Sequence, residues 1–287
     1  MSRISPLGWL QAGLSIVLVL AFAAHLNANP AQRVISAGGS ITEIIYALGQ
    51  EHRLVARDST SNHPPEAEAL PDVGYVRRLS AEGLLSLDPD LILAEEGAGP
   101  PETLALLNET EIELVTIPMG FDRDAVLRKI MAVATALDVP EKGEKLAQQV
   151  GSAIDAATGQ GGLKDKRVLF VLSLQGGRVL AGGGNTAAQG IIELAGASNA
   201  IEGFEGYKPM GDEAIITAAP DVVLMMNGGP GTGMSEDDVF DHPALAATPA
   251  GQNRDLIRMD GMLLLGFSVR TGEAVTELAA ELRAANG

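Results

Sequence analysis

Residues 79–93 read LSAEGLLSLDPDLIL, and residues 210–224 read MGDEAIITAAPDVVL. In both segments a short amphipathic helix precedes a proline, and an apolar run follows that is typical of a buried strand. A glutamate stands seven residues before the proline in each segment, at Glu82 and at Glu213. Self-similarity at this separation indicates two similar structural units rather than one large sheet.

The same order of elements surrounds both segments. Arg33 to Ala37 is a predicted strand, and a glycine turn then leads into an apolar-periodic helix over Ile41–Leu48. The second half begins with a predicted strand over Arg167–Leu172, and a second glycine turn leads into a helix over Ala187–Leu194. Strands that alternate with helices at this spacing predict an α/β fold with mainly parallel sheets.

A long helical pattern separates the two halves. It runs from Arg123 to about Thr158, with one interruption at Val139-Pro140. A helix between two α/β units is a stiffer connector than a flexible linker. We therefore expect a signal peptide over residues 1–28, an N-terminal α/β lobe over residues 29–140, a connecting helix over residues 141–160 and a C-terminal α/β lobe over residues 161–287.

Composition excludes several classes of function. The formal net charge of -17 makes nucleic acid and anionic membrane surfaces poor partners. The chain has no cysteine, which excludes disulfides, thiolate zinc sites, iron–sulfur ligation and cysteine nucleophiles. The glycine-rich segment 228–235 nearly fits a phosphate loop, but Met234 stands where that loop needs its lysine.

The N-terminus has the pattern of a secretory signal. Arg3 is the only charged residue among the first 29, and a mostly apolar run from Leu14 to Ala24 ends in small residues. A permanent membrane anchor is the rival interpretation, but about 20 apolar residues are needed to span a bilayer. We expect cleavage after Ala23, Ala24 or Ala28, which would yield a soluble periplasmic protein.

The segment VGYVRR places a phenol beside two guanidinium groups, as Tyr75, Arg77 and Arg78. A phenolate is a suitable ligand for ferric iron, and a neighbouring cation or hydrogen-bond donor favours the deprotonated form. On chemistry alone, a loop tyrosine with solvated arginines is the simpler interpretation, and only the rest of the chain favours an iron ligand. Tyr207 precedes Glu213 by six residues, nearly as Tyr75 precedes Glu82. It either faces the same cleft from the other side or packs within its own lobe.

Glu82 and Glu213 each begin the equivalent helix of their own half, where the helix dipole favours a carboxylate. Taken singly, each is simply an N-terminal helix glutamate. Taken together, equivalent acids on two lobes can present matching charges to a dimeric partner, one per subunit. Such exposed acids raise the rate of association more than the affinity.

With these residues assembled, the chain resembles the haemin-binding periplasmic components of bacterial ABC importers. The wider group also serves cobalamin and ferric siderophores. Its signals here are SAGGSITEIIYALG at residues 36–49, the two helix–strand segments and the connecting helix, whereas VGYVRRLSAEGLLSL at residues 73–87 is the narrower haem-type signal. The resemblance runs from about Arg33 to the C-terminal helix and implies a fold like that of class III periplasmic binding proteins.

The resemblance also implies roles for individual residues. Tyr75 would be the axial ligand of ferric haem, and Arg77 would hydrogen-bond the phenolate or pair with haem charge. Arg78 would meet the propionates, and Tyr207 would contact the haem from the other lobe. Glu82 and Glu213 would dock onto arginines of the two permease subunits.

Further expectations follow from the same resemblance. Some relatives hold a second haem with a histidine of the C-terminal lobe, but residues 173–177 read SLQGG, so we expect a single haem carried as transported ligand. We expect a monomer that is not an enzyme. The alternatives are a ferric siderophore or cobalamin carrier of the same group and, more remotely, an enzyme on a related two-lobed scaffold.

Overall fold

A computed structural model describes residues 30–159, 161–227 and 234–285. The expected signal peptide over residues 1–28 lies outside the described residues, and so does most of the glycine-rich segment 228–235. In the described ranges, no helix has the length and apolar content needed to cross a membrane.

Strands and helices alternate along most of the chain, as predicted. The strands are β1 (Val34–Ala37), β2 (Leu54–Arg57), β3 (Leu91–Glu95), β4 (Glu113–Ile117), β5 (Arg167–Gln175), β6 (Arg178–Gly182), β7 (Ser198–Asn199), β8 (Tyr207–Met210), β9 (Val222–Asn227) and β10 (Leu256–Asp260). The helices are α1 (Gly39–Ala47), α2 (Ala81–Leu85), α3 (Pro101–Asn108), α4 (Arg123–Ala136), α5 (Pro140–Thr158), α6 (Ala187–Leu194), α7 (Asp212–Ala218), α8 (Glu236–Phe240), α9 (Pro243–Ala246), α10 (Pro249–Asn253), α11 (Gly261–Leu265) and α12 (Thr271–Ala284).

The strands form two sheets, one on each side of helix α5 in the chain. The first sheet has the order β2-β1-β3-β4, and all of its pairings are parallel. The second has the order β10-β9-β5-β6-β8, with β7 beside β5. Strands β1 and β3 are almost wholly buried, because parallel strands are covered by helices on both faces. The predicted α/β fold class is confirmed.

The second sheet departs from the first at a hairpin. Gly176 and Gly177 have φ values of 59° and 71° and join β5 to β6. A two-residue turn with both φ values positive matches the twist of antiparallel strands, and glycine adopts it without strain. Strand β6 therefore pairs antiparallel with β5 and β8. In the second half it is β6 that precedes helix α6, whereas in the first half the parallel strand β1 precedes helix α1. The two halves are similar but not identical.

The long helical pattern between the sheets is two helices, α4 and α5, broken at Val139-Pro140 as predicted. The proline begins α5, where its missing N–H has no helical partner to lose. The C-terminal helix α12 packs against both α5 and α6. Each sheet has its own cluster of buried apolar side chains.

Close contacts join the first half, before α5, to the second half, after it. The rings of Phe121 and Phe267 meet edge to face, with centroids 5.6 Å apart. A Cβ on Gly190 of α6 would lie 2.1 Å from the carbonyl oxygen of Phe121, so the two segments approach closely only because residue 190 is glycine. Together these contacts position the walls of a cleft between the two sheets.

Candidate ligand-binding cleft

A cavity of about 510 Å³ lies between the two halves and is lined by both. This volume is within the range of about 300–1,000 Å³ that is typical of small-molecule sites. Its apolar walls include Met119, Phe121, Leu172, Met226, Met262 and Leu265. The combination of an apolar wall with a few polar groups suits a large ligand that is mainly apolar.

Gly39 allows the two halves to approach at this cavity. A Cβ at this position would lie 2.4 Å from Cε of Met262 and 2.6 Å from the carbonyl oxygen of Thr60. Because both distances are shorter than van der Waals contact, a larger residue would move the methionine or the backbone. The glycine turn seen in the sequence therefore has a role in packing across the cleft.

Tyr75 lies in the cavity wall with 44% of its surface exposed. It immediately precedes a 3₁₀ turn over Val76–Arg78, and the backbone N–H of Arg78 donates to the carbonyl of Tyr75 at 2.7 Å. Since a 3₁₀ helix has three residues per turn, Arg78 returns to the same side as Tyr75. Its guanidinium carbon lies 5.9 Å from the centre of the phenol ring, within the range of cation–π contact.

Arg77 also lines the cavity, and its guanidinium contacts a backbone carbonyl and a thioether. Nη1 donates to the carbonyl of Glu96 at 3.1 Å, and Nη2 lies 3.7 Å from Sδ of Met119. The guanidinium rests on Gly97, where a Cβ would lie 2.1 Å from Nη1. These contacts hold the side chain at the cavity wall.

Tyr207 faces the same cavity from the second half, and 37% of its surface is exposed. Its ring meets Phe170 edge to face, with centroids 6.2 Å apart. Burial raises the pKa of the Tyr207 phenol above its ordinary value, while hydrogen bonds from Ala188 and Thr186 act in the opposite direction. The two tyrosines that sequence analysis selected therefore line one cavity, from opposite halves.

A buried lysine that sequence analysis did not select lies next to this wall. Lys129 of α4 donates to the hydroxyl of Ser40 at 3.0 Å, and its Nζ lies 3.7 Å from Oε1 of Glu95, which lines the cavity. It also donates to the carbonyls of Gly266 and Phe267, at 3.3 Å and 3.2 Å. Burial lowers the pKa of the Lys129 ammonium, while the carboxylates of Glu95 and Glu43 act in the opposite direction.

No periodic pattern identifies Lys129, because a lysine in an amphipathic helix normally faces solvent. The methionines of the wall likewise have no periodic pattern that distinguishes them from core residues, since Met225 and Met226 are neighbours in strand β9. The structure buries Met225 completely and places Met226 in the cavity wall.

Glu82 and Glu213 are both exposed, and each lies in the first turn of a short helix, α2 and α7 respectively. In α2 the hydroxyl of Ser80 accepts a hydrogen bond from the backbone N–H of Gly83 at 3.3 Å. This side-chain cap satisfies one free donor of the helix end. The two glutamates are thus at equivalent positions, as predicted.

The described residues contain no group of three or more histidine, aspartate or glutamate side chains arranged to hold a metal ion. A phenol oxygen is the type of single ligand that ferric haem accepts.

Two solved structures and one curated protein are among those similar to this chain. A solved structure of the periplasmic heme-binding protein BhuT in complex with two hemes is 41% identical, with a TM-score of 0.83 over 88% of this chain and 98% of that one. The periplasmic heme-binding protein RhuT from Roseiflexus sp. RS-1, in apo form, is 40% identical, with a TM-score of 0.84 over 89% of this chain and 99% of that one. The vitamin B12-binding protein of Pectobacterium carotovorum is 28% identical over 239 residues, 82% of this chain and 84% of that protein.

These similarities confirm the resemblance that the sequence motifs indicated, including the class III binding-protein fold. They extend along nearly the whole of the described chain and include both sheets. The family model described as "Periplasmic binding protein" matches residues 34–263, and the chain belongs to this family of periplasmic binding proteins.

Proposed function

We propose that this protein captures haem in the cavity between its two sheets and delivers it to the permease of an ABC importer. The observation that carries the proposal is Tyr75, a half-exposed phenol in the wall of an otherwise largely apolar cavity. The names of the similar structures, which are periplasmic heme-binding proteins, support the same cargo.

Tyr75 rather than Tyr207 is the proposed axial ligand of the ferric iron. The raised pKa of Tyr207 favours its neutral form, which is a poorer ligand for iron(III) than a phenolate. Tyr75 is the more exposed of the two phenols, and the guanidinium of Arg78 lies 5.9 Å from the centre of its ring. Tyr207 is then a contact to the porphyrin from the second half.

The apolar walls bury the faces of the porphyrin. Each Å² of apolar surface removed from water contributes about 25 cal/mol, so a large flat ligand gains much of its affinity from Met119, Phe121, Met226 and their neighbours. Arg77 in the cavity wall and Arg78 over the ring of Tyr75 supply positive charge. In this proposal Arg77 hydrogen-bonds the phenolate or pairs with haem charge, and Arg78 meets the propionates. Positive charge here helps an anionic ligand to approach a protein whose net charge is -17.

The other parts of the proposal concern the whole chain. Residues 1–28 are a signal peptide, and residues 29–140, 141–160 and 161–287 are the N-terminal lobe, connecting helix and C-terminal lobe. The mature protein acts in the periplasm as a monomer and carries haem without chemical change. Glu82 and Glu213 dock onto arginines of the two permease subunits, one from each lobe.

A haemin titration followed by absorption spectroscopy tests the cargo and the ligand together. We expect saturable binding at one haem per protein and a high-spin tyrosinate spectrum that is lost in Tyr75→Phe. Tyr46→Phe is the matched control, since Tyr46 lies in α1 and is not among the residues that line the cavity. An unchanged spectrum in Tyr75→Phe would contradict the iron bond, and absence of binding by the unaltered protein would contradict haem as the cargo.

A cobalamin cargo is the second candidate, because the chain is also similar to vitamin B12-binding proteins. Neither cobalamin nor a ferric siderophore needs a tyrosinate from the protein. A parallel titration with cyanocobalamin, and one with a ferric siderophore, separates the cases. Tight binding of either that survives Tyr75→Phe, together with weak binding of haemin, would favour the alternative.

A further inference from the structure

Helices α2 and α7 share a pattern that the glutamates alone do not explain. In α2 the glutamate is followed by Gly83, Leu84 and Leu85, and in α7 it is followed by Ala214, Ile215 and Ile216. Each helix therefore presents a glutamate, a small residue and two large apolar residues in the same order.

The two apolar residues of each pair have different environments. Leu84 and Ile215 are completely buried and attach their helices to the two cores. Leu85 and Ile216 are exposed to 38% and 47%. Residues three apart on a helix are neighbours on its surface, so each exposed aliphatic side chain lies beside its glutamate.

Large exposed apolar side chains are few in the part of the chain that the structure describes. They are Tyr75, Leu85, Leu106, Tyr207 and Ile216. The two tyrosines line the cleft, and Leu106 lies on α3, outside the repeated pattern. The remaining two occupy the same position of equivalent helices, which is the arrangement expected of an interaction surface rather than of scattered surface residues.

A depression of about 590 Å³ lies alongside α7. Phe204, Met210 and Ala214 line it together with the carboxylates of Glu202 and Glu213. The guanidinium of Arg167 also lines it and donates to the carbonyls of Ala218 and Ala200, at 3.0 Å and 3.3 Å. An aliphatic stem that carries a cation fits such a depression, because its methylene groups can cover the apolar wall while its charge meets a carboxylate. Helix α7 therefore carries an exposed aliphatic side chain, Ile216, and borders through Glu213 and Ala214 a depression that suits such a stem.

We propose that Glu82 with Leu85 and Glu213 with Ile216 form a two-part docking surface in which the aliphatic side chains enter apolar recesses of the two permease subunits. The proposal rests on the proposed delivery of cargo to a permease. Two equivalent patches on one chain fit a partner with two-fold symmetry, which offers the same recess and the same basic group twice.

Charge selects this partner over two others. A second copy of the chain would place acidic patches against each other, and an anionic membrane surface would repel a protein of net charge -17. A specific interface usually has an apolar centre with charged groups at its rim. A basic partner would place its positive charges opposite the glutamates of this surface. Both tyrosines that precede α2 and α7 line the cleft, so a partner on these helices is also close to the cargo.

The two kinds of side chain have separable effects. Rim charges raise the association rate and make it sensitive to salt, whereas desolvated apolar contacts slow dissociation. We therefore expect the glutamates to control the rate of arrival and the aliphatic residues to control the lifetime of the complex.

The test measures binding kinetics between the full-length mature protein and the permease–ATPase complex of the source bacterium in nanodiscs, without cargo. Leu85→Ser and Ile216→Ser are each expected to speed dissociation about tenfold, with little change in the association rate. Glu82→Gln and Glu213→Gln are expected to slow association and reduce its dependence on salt. Leu106→Ser is the matched control and is expected to match the unaltered protein.

Two outcomes would overturn the proposal: dissociation of Leu85→Ser and Ile216→Ser at the unaltered rate, or no binding of the unaltered protein to this complex. Haemin titration of the same variants shows that they are folded and is independent of docking. A failure of haem binding with intact docking would contradict the cargo and not this surface.

Discussion

The carboxylate of Glu43 and the guanidinium of Arg270 form a two-point ion pair across 227 residues of sequence. Nη2 of Arg270 lies 2.6 Å from Oε1 of Glu43, and Nε lies 3.0 Å from Oε2. The hydroxyl of Ser268 donates to the same carboxylate. Glu43 belongs to α1 of the first half and is buried, so the pair joins the two halves in a region of restricted solvent access.

Replacement of Glu43 by alanine is expected to lower the free energy of unfolding by about 3–5 kcal/mol, because it leaves the guanidinium of Arg270 partly buried without its partner. Urea unfolding followed by circular dichroism measures the change. The matched control is Asp155→Ala, which removes the exposed bidentate pair of Arg123 and Asp155, with distances of 2.6 Å and 2.8 Å. Solvent screens that pair, so nearly unchanged stability is expected in the control. Equal losses in the two variants would contradict the role of burial.

Lys129 should make stability depend on alkaline pH. Its pKa is lowered in the folded protein by burial, so the folded state releases this proton at a lower pH than the unfolded state does. Below the folded pKa both states are charged, and folding carries the whole desolvation penalty. As the pH rises through the folded pKa toward the ordinary value of 10.5, the folded state becomes relatively more stable.

The measurement is the difference in free energy of unfolding between the unaltered protein and Lys129→Met, recorded as a function of pH. Groups common to both proteins cancel in the difference. We expect the difference to move in favour of the unaltered protein as the pH approaches 10.5. A flat or opposite dependence would show that the lysine is not desolvated in solution.

Tyr207 is expected to keep its proton beyond the ordinary range of a phenol, because burial raises its pKa. The chain has three tyrosines, so the Tyr46→Phe/Tyr75→Phe variant isolates this one for ultraviolet titration. We expect a midpoint above 10.0 in the folded variant and close to 10.0 after unfolding in urea. The stability that Tyr207 contributes is then complete below pH 10.0 and is lost as the pH rises through its folded pKa. A folded midpoint below 10.0 would contradict this environment.

Solution scattering should detect only a small contraction when haemin binds. Lys129 of the first half is hydrogen-bonded to the carbonyls of Gly266 and Phe267 of the second, and Glu43 is paired with Arg270. A hinge motion would have to break these buried contacts, and α5 is a helix rather than a flexible linker. A large decrease in the radius of gyration on addition of haemin would contradict a rigid cleft.

The amino-acid sequence by itself determined the fold class, the similarity of the two halves and the equivalence of Glu82 and Glu213. Each of these depends on local order along the chain, because apolar periodicity and turn residues act over a few neighbouring positions. The same local order selected Tyr75 and Tyr207. The glycine pair Gly176-Gly177 is also a local signal for a turn. That this turn makes β5 and β6 antiparallel neighbours is known only from the structure.

Tertiary structure alone decided which side chains meet. It placed Tyr75 and Tyr207 in one cavity, buried Lys129 beside the cavity wall and brought Glu43 to Arg270. Contacts across 89 or 227 residues leave no periodic trace in the chain, since they depend on how separately predictable elements pack against each other. The local pattern specifies the helices and strands. Charged groups such as Lys129 and Glu43 lose their contact with water only when these helices and strands pack together.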